Sequence, residues 1–319
     1  MRAVVTGAAG FIGSHLCAHL LGHGDRVVGV DCLTDYYDPR RKEANLAAVL
    51  GCDGFTEHRV DLTTAALGGL FEGADVVFHL AGQPGVRDSW GEEFGPYVSR
   101  NIIATQRVLE AARNASVRKV VYASSSSVYG DAASYPTTED LCPHPVSPYG
   151  VTKLAAEHLC EVYRVTSGVP TVSLRLFTVY GPRQRPDMAF SRLVEASLTG
   201  SPFPLYGNGD QSRDFTFVED VVTAMRQAAL SPWSGVANIG GGSRTTMNEV
   251  IDVVGRLARP IHVVRLPAQR GDVRHTAADI TTAGAGFGYV PRCSLEEGLR
   301  HMVQAAQAVA QPLSGGRVR

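Results

Sequence analysis

Lysine is nearly missing from this chain of 319 residues: only Lys42, Lys119 and Lys153 occur, against 27 arginines. No apolar run approaches the roughly 20 residues needed to cross a bilayer, which argues against a membrane span. The six cysteines (Cys17, Cys32, Cys52, Cys142, Cys160 and Cys293) form no C-x-x-C pair. Their scatter reads as free thiols in a reducing cytosol, not as a disulfide frame or zinc site. The ten histidines are read as showing no H-x-x-x-H or clustered ligand spacing, so no metal is expected. There is little excess charge of either sign. A formal net charge of −1 leaves nothing to attract nucleic acid or an anionic membrane surface. The first strand is expected to begin at residue 2, leaving no room for a signal peptide. What remains is a chain with 44 % hydrophobic residues, enough for a proper core.

The N-terminus carries the first positive signal. Arg2–Val5 is a short apolar, β-branched run, hence a strand. Thr6-Gly7-Ala8-Ala9-Gly10-Phe11-Ile12-Gly13 follows, and Ser14 to Leu21 then reads as an amphipathic helix. Strand, glycine-rich turn and helix together make a pyrophosphate cradle. Glycines let the backbone turn and approach the ligand, which rests on the helix N-terminus. The spacing is G-x-x-G-x-x-G. Asp31 ends the next apolar run, Arg26 to Val30. An acidic residue there accepts from both ribose hydroxyls and repels a 2′-phosphate, so NAD is expected rather than NADP.

Strand candidates at Ala3–Val5, Arg26–Asp31, Asp75–Leu80, Lys119–Ala123 and Thr171–Phe177 alternate with helical stretches near Phe11–Leu21, Tyr97–Ala115 and Pro148–Thr166. That alternation predicts an α/β fold of Rossmann type, a doubly wound parallel sheet with helices on both faces. In such sheets ligands lie beyond the carboxyl ends of the strands. Residues 1–180 are assigned to a cofactor domain, with 214–240 returning to it. Residues 181–319 are assigned to a smaller substrate-binding region, ending in a frayed tail from Gln311.

Tyr149 and Lys153 stand four residues apart, on one face of a helix. An ammonium beside a phenol lowers its pKa and makes it a general base. Ser124–Ser127 follow a strand. Their hydroxyls either satisfy loop backbone groups or meet a sugar hydroxyl and share its proton with Tyr149. Arg87, Arg185, Arg213 and Arg270 are either surface charges or the planar donors that a diphosphate needs. Lys42 and Lys119 have no comparable context, and Lys119 reads as a solvated charge flanking its strand.

Thr6–Gly13, His79-Leu-Ala-Gly82, Ser124–Gly130, Ser147-Pro-Tyr-Gly-Val-Thr-Lys153 and Asp214–Asp220 together resemble the extended short-chain dehydrogenase/reductase family, within it the nucleotide-sugar epimerases and dehydratases. The resemblance runs from residue 1 to about 305. Asp35-Tyr-Tyr-Asp-Pro39 and Leu176-Phe-Thr-Val-Tyr-Gly-Pro182, leading to Arg185-Pro-Asp-Met-Ala189, look like UDP-glucuronate 4-epimerases. UDP-glucose epimerases of the family usually carry Asn where Thr178 stands. The dehydratases carry Thr-Asp-Glu where Ser125, Ser126 and Ser127 stand. Two departures from the family pattern are Pro84, where the epimerases usually have Ala, and the surroundings of Arg270.

The resemblance implies a reaction. Tyr149 takes the proton of the sugar 4-OH, with Lys153 and Ser125 as partners. The C4 hydride passes to tightly held NAD⁺, and the 4-keto sugar turns over to receive it on its other face. It also implies a cofactor site of Gly7, Gly10, Phe11, Ile12, Gly13, Asp31, Lys42, Asp61, Leu62, Leu80, Ala81, Gly82, Gln83, Asn101, Ala123, Tyr149 and Lys153. The UDP-sugar contacts it implies are Arg87, Ser126, Ser127, Thr178, Arg185, Met188, Arg213, Arg270 and Asp272. Dimers are usual in that family, so a homodimer is expected, and the scattered thiols point to a cytoplasmic setting. The alternatives are a UDP-glucuronate decarboxylase, a UDP-glucose 4-epimerase, or a non-catalytic NAD-binding regulator.

Overall fold

Val4, Val28, Val77, Val120 and Tyr122 pack into one apolar cluster, while their neighbours Ala3, Val5, Val27, Val76, Phe78 and Val121 pack into another. Alternate residues of each strand therefore bury on opposite faces, the pattern of a sheet covered on both sides. The computed structural model describes residues 1–267, 273 and 275–310; Arg270, Asp272 and the tail from Gln311 lie outside the described residues.

The first half runs β1 (Arg2–Thr6), α1 (Phe11–Gly22), β2 (Arg26–Asp31), α2 (Pro39–Leu46), β3 (Phe55–Arg59), α3 (Gly68–Phe71), β4 (Val76–His79), α4 (Phe94–Tyr97), α5 (Ala104–Asn114), β5 (Lys119–Ser125), α6 (Pro148–Ser167) and β6 (Thr171–Leu176). The second half is β7 (Val179–Tyr180), α7 (Ala189–Thr199), β8 (Phe203–Tyr206), β9 (Ser212–Asp214), β10 (Thr216–Phe217), α8 (Val218–Leu230), β11 (Gly235–Ile239), β12 (Arg244–Thr246), α9 (Met247–Leu257), β13 (Val263–Leu266), α10 (Thr281–Phe287) and α11 (Leu295–Ala310).

Seven strands form one parallel sheet in the order β11-β6-β5-β4-β1-β2-β3. The strand order reverses between β1 and β4, so the ligand crevice opens at their carboxyl ends. Five expected strands and the helix over 148–166 are present with small shifts of their ends. In the first half, β3, α2 and the short α3 were not expected. The β3 sequence, Phe-Thr-Glu-His-Arg, is an edge strand with no apolar run to announce it. The helix expected over 97–115 is interrupted: between α4 and α5, residues Val98–Ile103 widen into a π-helix. From the second half, β11 pairs with β6 in the main sheet and α8 packs on α1, while the other short strands form two-stranded pairs.

Lys119 departs from expectation. It is 4 % exposed and not solvated. Its ammonium donates to the carbonyls of Ser231 at 2.5 Å and Trp233 at 2.6 Å, just beyond the end of α8. Carbonyls at a helix C-terminus lack intrahelical donors, and a cation there satisfies them and suits the helix dipole.

Candidate active site

The crevice begins at the N-terminus of α1. Gly10 precedes the helix and offers no side-chain cap, and no acidic residue occupies its first turn. The first amides of α1 are therefore left for an anion. Gly7 has φ +71°, and a Cβ there would lie 2.8 Å from the Ala81 nitrogen; a Cβ on Gly13 would lie 2.0 Å from the Gly7 carbonyl oxygen. The turn closes only because both side chains are absent. At the end of β2, Asp31 accepts from the amides of Ala9 at 3.0 Å and Leu33 at 2.8 Å. These bonds hold its carboxylate at the strand end with lone pairs left over.

One cleft is lined by Gly7, Gly10, Phe11, Ile12, Gly13, Asp31, Lys42, Asp61, Leu62, Leu80, Ala81, Gly82, Gln83, Ala123, Tyr149 and Lys153, all of them expected cofactor contacts. Asn101 stands behind this wall. It accepts from the Gln83 amide at 2.6 Å and donates to the Gln83 carbonyl at 3.1 Å and to Thr152 Oγ1 at 3.0 Å. The π-helix places it there, a common setting for such bulges.

The expected base, Tyr149, lines this first cleft, and a second cleft is lined by Ser126, Ser127, Thr178 and Arg213. Burial raises the Tyr149 pKa, opposed by a hydrogen bond with Ser125 and by the charge of Arg185. Lys153 is 7 % exposed. Its ammonium donates to the Ala123 carbonyl at 2.5 Å and lies 4.5 Å from the Tyr122 ring centre. Burial brings its pKa down to about 8, opposed by the negative charge of Glu157. Arg185 lines the first cleft and pairs with Asp187 at 2.9 Å. The Arg87 guanidinium lies 4.9 Å from the Tyr206 ring centre, and Met188 precedes α7 and lines neither cleft.

The profile of the NAD dependent epimerase/dehydratase family matches residues 3–240. The chain belongs to that family. Among its relatives is the "Uncharacterized UDP-glucose epimerase YtcB" of Bacillus subtilis, 44 % identical over 98 % of this chain and 99 % of that protein. The UDP-glucuronate 4-epimerase of Thermodesulfobacterium geofontis is 38 % identical over 94 % of each. Among solved structures, the UDP-glucuronic acid 4-epimerase of Bacillus cereus with UDP-glucuronic acid and NAD superposes with a TM-score of 0.93. It is 41 % identical and covers 97 % of this chain and 100 % of that one.

Several residues of this family member's first cleft were not expected there. Tyr36 and Tyr37 line it, as do Thr34, Arg100 and Ser124. Tyr36 donates to Asp88 at 2.9 Å, and Lys42 donates to the Thr34 carbonyl at 2.8 Å. The adjacent Tyr36-Tyr37 pair was a visible signal, but only the folded β2–α2 connection turns it over the cleft.

The histidines also need a correction. His15, His19 and His23 do stand at H-x-x-x-H spacing along α1. They do not converge: His15 bonds Glu219 and the Pro182 carbonyl, while the His19 and His23 rings lie 4.5 Å apart. Among the described residues, no group of three His, Cys, Asp or Glu is placed to hold a metal ion.

Proposed function

We propose that the protein interconverts C4 epimers of a UDP-sugar, UDP-glucuronate to UDP-galacturonate, with NAD held in the first cleft. The observation that carries this reading is the placement of Tyr149. It lies on the cofactor cleft and hydrogen-bonds Ser125, whose neighbours Ser126 and Ser127 line the second cleft with Thr178. The relatives and solved structures named for UDP-glucuronate and NAD support the same substrate. NAD fits the first cleft because the amides of α1 are uncapped and Asp31 stands at the ribose end of β2.

When bound, NAD accepts the C4 hydride and returns it to the opposite face, so it leaves each turnover unchanged. The chain supplies the rest. Tyr149 takes the proton of the 4-hydroxyl as general base and gives it back on the return. Ser125 holds that hydroxyl in line. The Ser125 hydrogen bond and the Arg185 charge oppose the rise that burial gives the Tyr149 pKa, and Lys153, four residues along the same helix, is proposed to hold the cofactor's ribose side of the cleft. A 4-keto-uronic acid is a β-keto acid and loses CO₂ when its carboxylate stands perpendicular to the ketone plane. Thr178, Ser126, Ser127 and Arg185 are the groups proposed to hold the carboxylate away from that geometry. Residues 1–180 with 214–240 form the proposed cofactor unit, and the remaining segments after 181 form the sugar-nucleotide side.

Two further assignments belong to this reading. Val151, Val162 and Val165 are exposed on α6, near exposed Ile103 before α5. An apolar stripe of that kind supports a homodimer. Six unpaired cysteines support a cytoplasmic setting.

The test is product analysis by chromatography after incubation with UDP-glucuronate and with UDP-glucose, without added NAD. UDP-galacturonate from the first, with no pentose, is the expected outcome, and mass spectrometry of the denatured protein should find NAD. A pentose product, or turnover of UDP-glucose alone, overturns the reading.

A further inference from the structure

Glu157 is a carboxylate that the proposed reaction does not use, yet it stands directly behind the reacting groups. Tyr149, Lys153 and Glu157 follow each other at four-residue steps along α6, so they share one face. Glu157 and its partner Arg175 on β6 are 4 % and 6 % exposed as side chains. Arg175 grips the carboxylate with Nη2 at 2.9 Å and Nε at 3.0 Å. Arg175 is itself stacked 4.7 Å from the Tyr129 ring centre, and the Tyr129 hydroxyl is fixed on Asn238. On its other side Glu157 accepts a short hydrogen bond from the Ser124 hydroxyl. Ser124 precedes Ser125 and lines the cofactor cleft.

Burying an ion pair is costly, and apolar side chains of similar volume are often at least as stable. A purely structural brace between α6, β5 and β6 therefore does not account for a charge at this place. The electrostatics do. Lys153 and Arg175 are two cations reaching into one interior, and Glu157 is the anion between them. The groups facing Lys153 are Tyr122 and the Ala123 carbonyl from β5, His79 from β4, and Tyr149, Glu157 and Cys160 from its own helix. His79 is held neutral by burial, with its pKa down to about 3, so it supplies no charge. The Arg185 charge acts on Tyr149. Glu157 is thus the anion placed to keep the ammonium protonated.

We infer that Glu157 is a positioning residue of the proposed epimerase site, which holds Lys153 in its charged form and tethers the Ser124–Ser125 end of β5, with Arg175 as the counter-ion that lets it be buried. The inference rests on the proposed reaction for its purpose, but its physical content can be measured without turnover. Three lysines give three resonances when lysine is labelled with ¹³C at Cε, and Lys153→Met assigns one of them. In the full-length NAD-bound protein, Glu157→Gln should move the Lys153 titration about one pH unit lower, as loss of a close opposite charge implies, and leave Lys42 and Lys119 in place. The alkaline limb of kcat should move by the same amount, with KM for UDP-glucuronate changed little. Glu157→Asp should recover most of the shift. If Glu157→Gln does not fold because Arg175 is orphaned, Glu157→Gln combined with Arg175→Gln should shift Lys153 the same way by less. A Lys153 midpoint unchanged in whichever variant folds leaves Glu157 a structural brace and overturns the inference. A wild-type protein that epimerises no UDP-sugar would sink the proposed reaction instead, while the lysine titration would still decide the role of Glu157.

Discussion

The two clefts are built differently. The cofactor cleft draws its floor from the carboxyl ends of β1, β2 and β4, neighbouring strands of one parallel sheet. The contacts proposed at its pyrophosphate and ribose end are uncapped amides, glycines and one carboxylate. The second cleft is assembled from segments far apart in sequence, among them Val86, Ser126, Ser127, Ser147, Thr178, Arg213 and Thr276. The contacts proposed there are side chains, several on segments tied by two-stranded pairs. The difference teaches that a shared cofactor can be bound by rigid main chain, whereas choice among sugars rests on side chains that are free to vary.

The comparison breaks first at Tyr149, which lines the first cleft and hydrogen-bonds Ser125, next to the serines of the second. Tyr149→Phe should lower kcat by about two to four orders of magnitude, the usual weight of a general base, while the purified protein keeps its NAD. Rates near normal would remove it from the mechanism. Next comes the main-chain side. In Gly13→Ala the new methyl would meet the Gly7 carbonyl oxygen, so the turn must open. Retention of NAD through gel filtration should weaken about 10- to 100-fold, as 1–3 kcal/mol of overpacking implies. Undiminished NAD content would show that the turn tolerates movement.

Arg185→Ala probes the proposed carboxylate contact, a side chain that lines the first cleft. A charge-assisted hydrogen bond is worth about 1.5–3 kcal/mol, so kcat/KM for UDP-glucuronate should fall about ten- to a hundredfold, with little change for UDP-glucose and some pentose formed. Equal losses for both substrates would move Arg185 to the diphosphate or to loop bracing. The smallest effect concerns the sheet beneath both clefts. His79 is buried between the hydroxyls of Thr6 and Thr105, and burial lowers its pKa to about 3. Its stability contribution is full above the unfolded pKa near 6.5. It is lost as pH falls, because the unfolded chain binds a proton that the folded chain refuses. The slope is about 1.4 kcal/mol per pH unit between roughly 6.5 and 3. Urea midpoints for the chain and for His79→Gln across that window should converge as pH falls; parallel curves would exonerate His79.

How much was legible follows the same divide. Thr6–Gly13 and Asp31 could be read because each ligand-facing group follows its strand directly in sequence. Lys119 could not: its burial depends on carbonyls more than 100 residues away. Nor could the edge strand β3 or the π-turn that places Asn101, since neither has an apolar period of its own.

The three lysines gather this into one case. All are buried, at 6 %, 4 % and 7 % exposure, and each ammonium donates to a backbone carbonyl. The sequence by itself determined that the basic surface would be arginine, that a parallel sheet would form, and that a phenol and an ammonium would share a helix face. Those are properties of composition and of period along one chain. Only the tertiary structure decided which carbonyl each ammonium meets, that burial raises the pKa of Tyr149 and lowers that of Lys153, and that Glu157 and Arg175 stand behind them. Such properties depend on distance and local dielectric between segments, and no spacing along the chain encodes them.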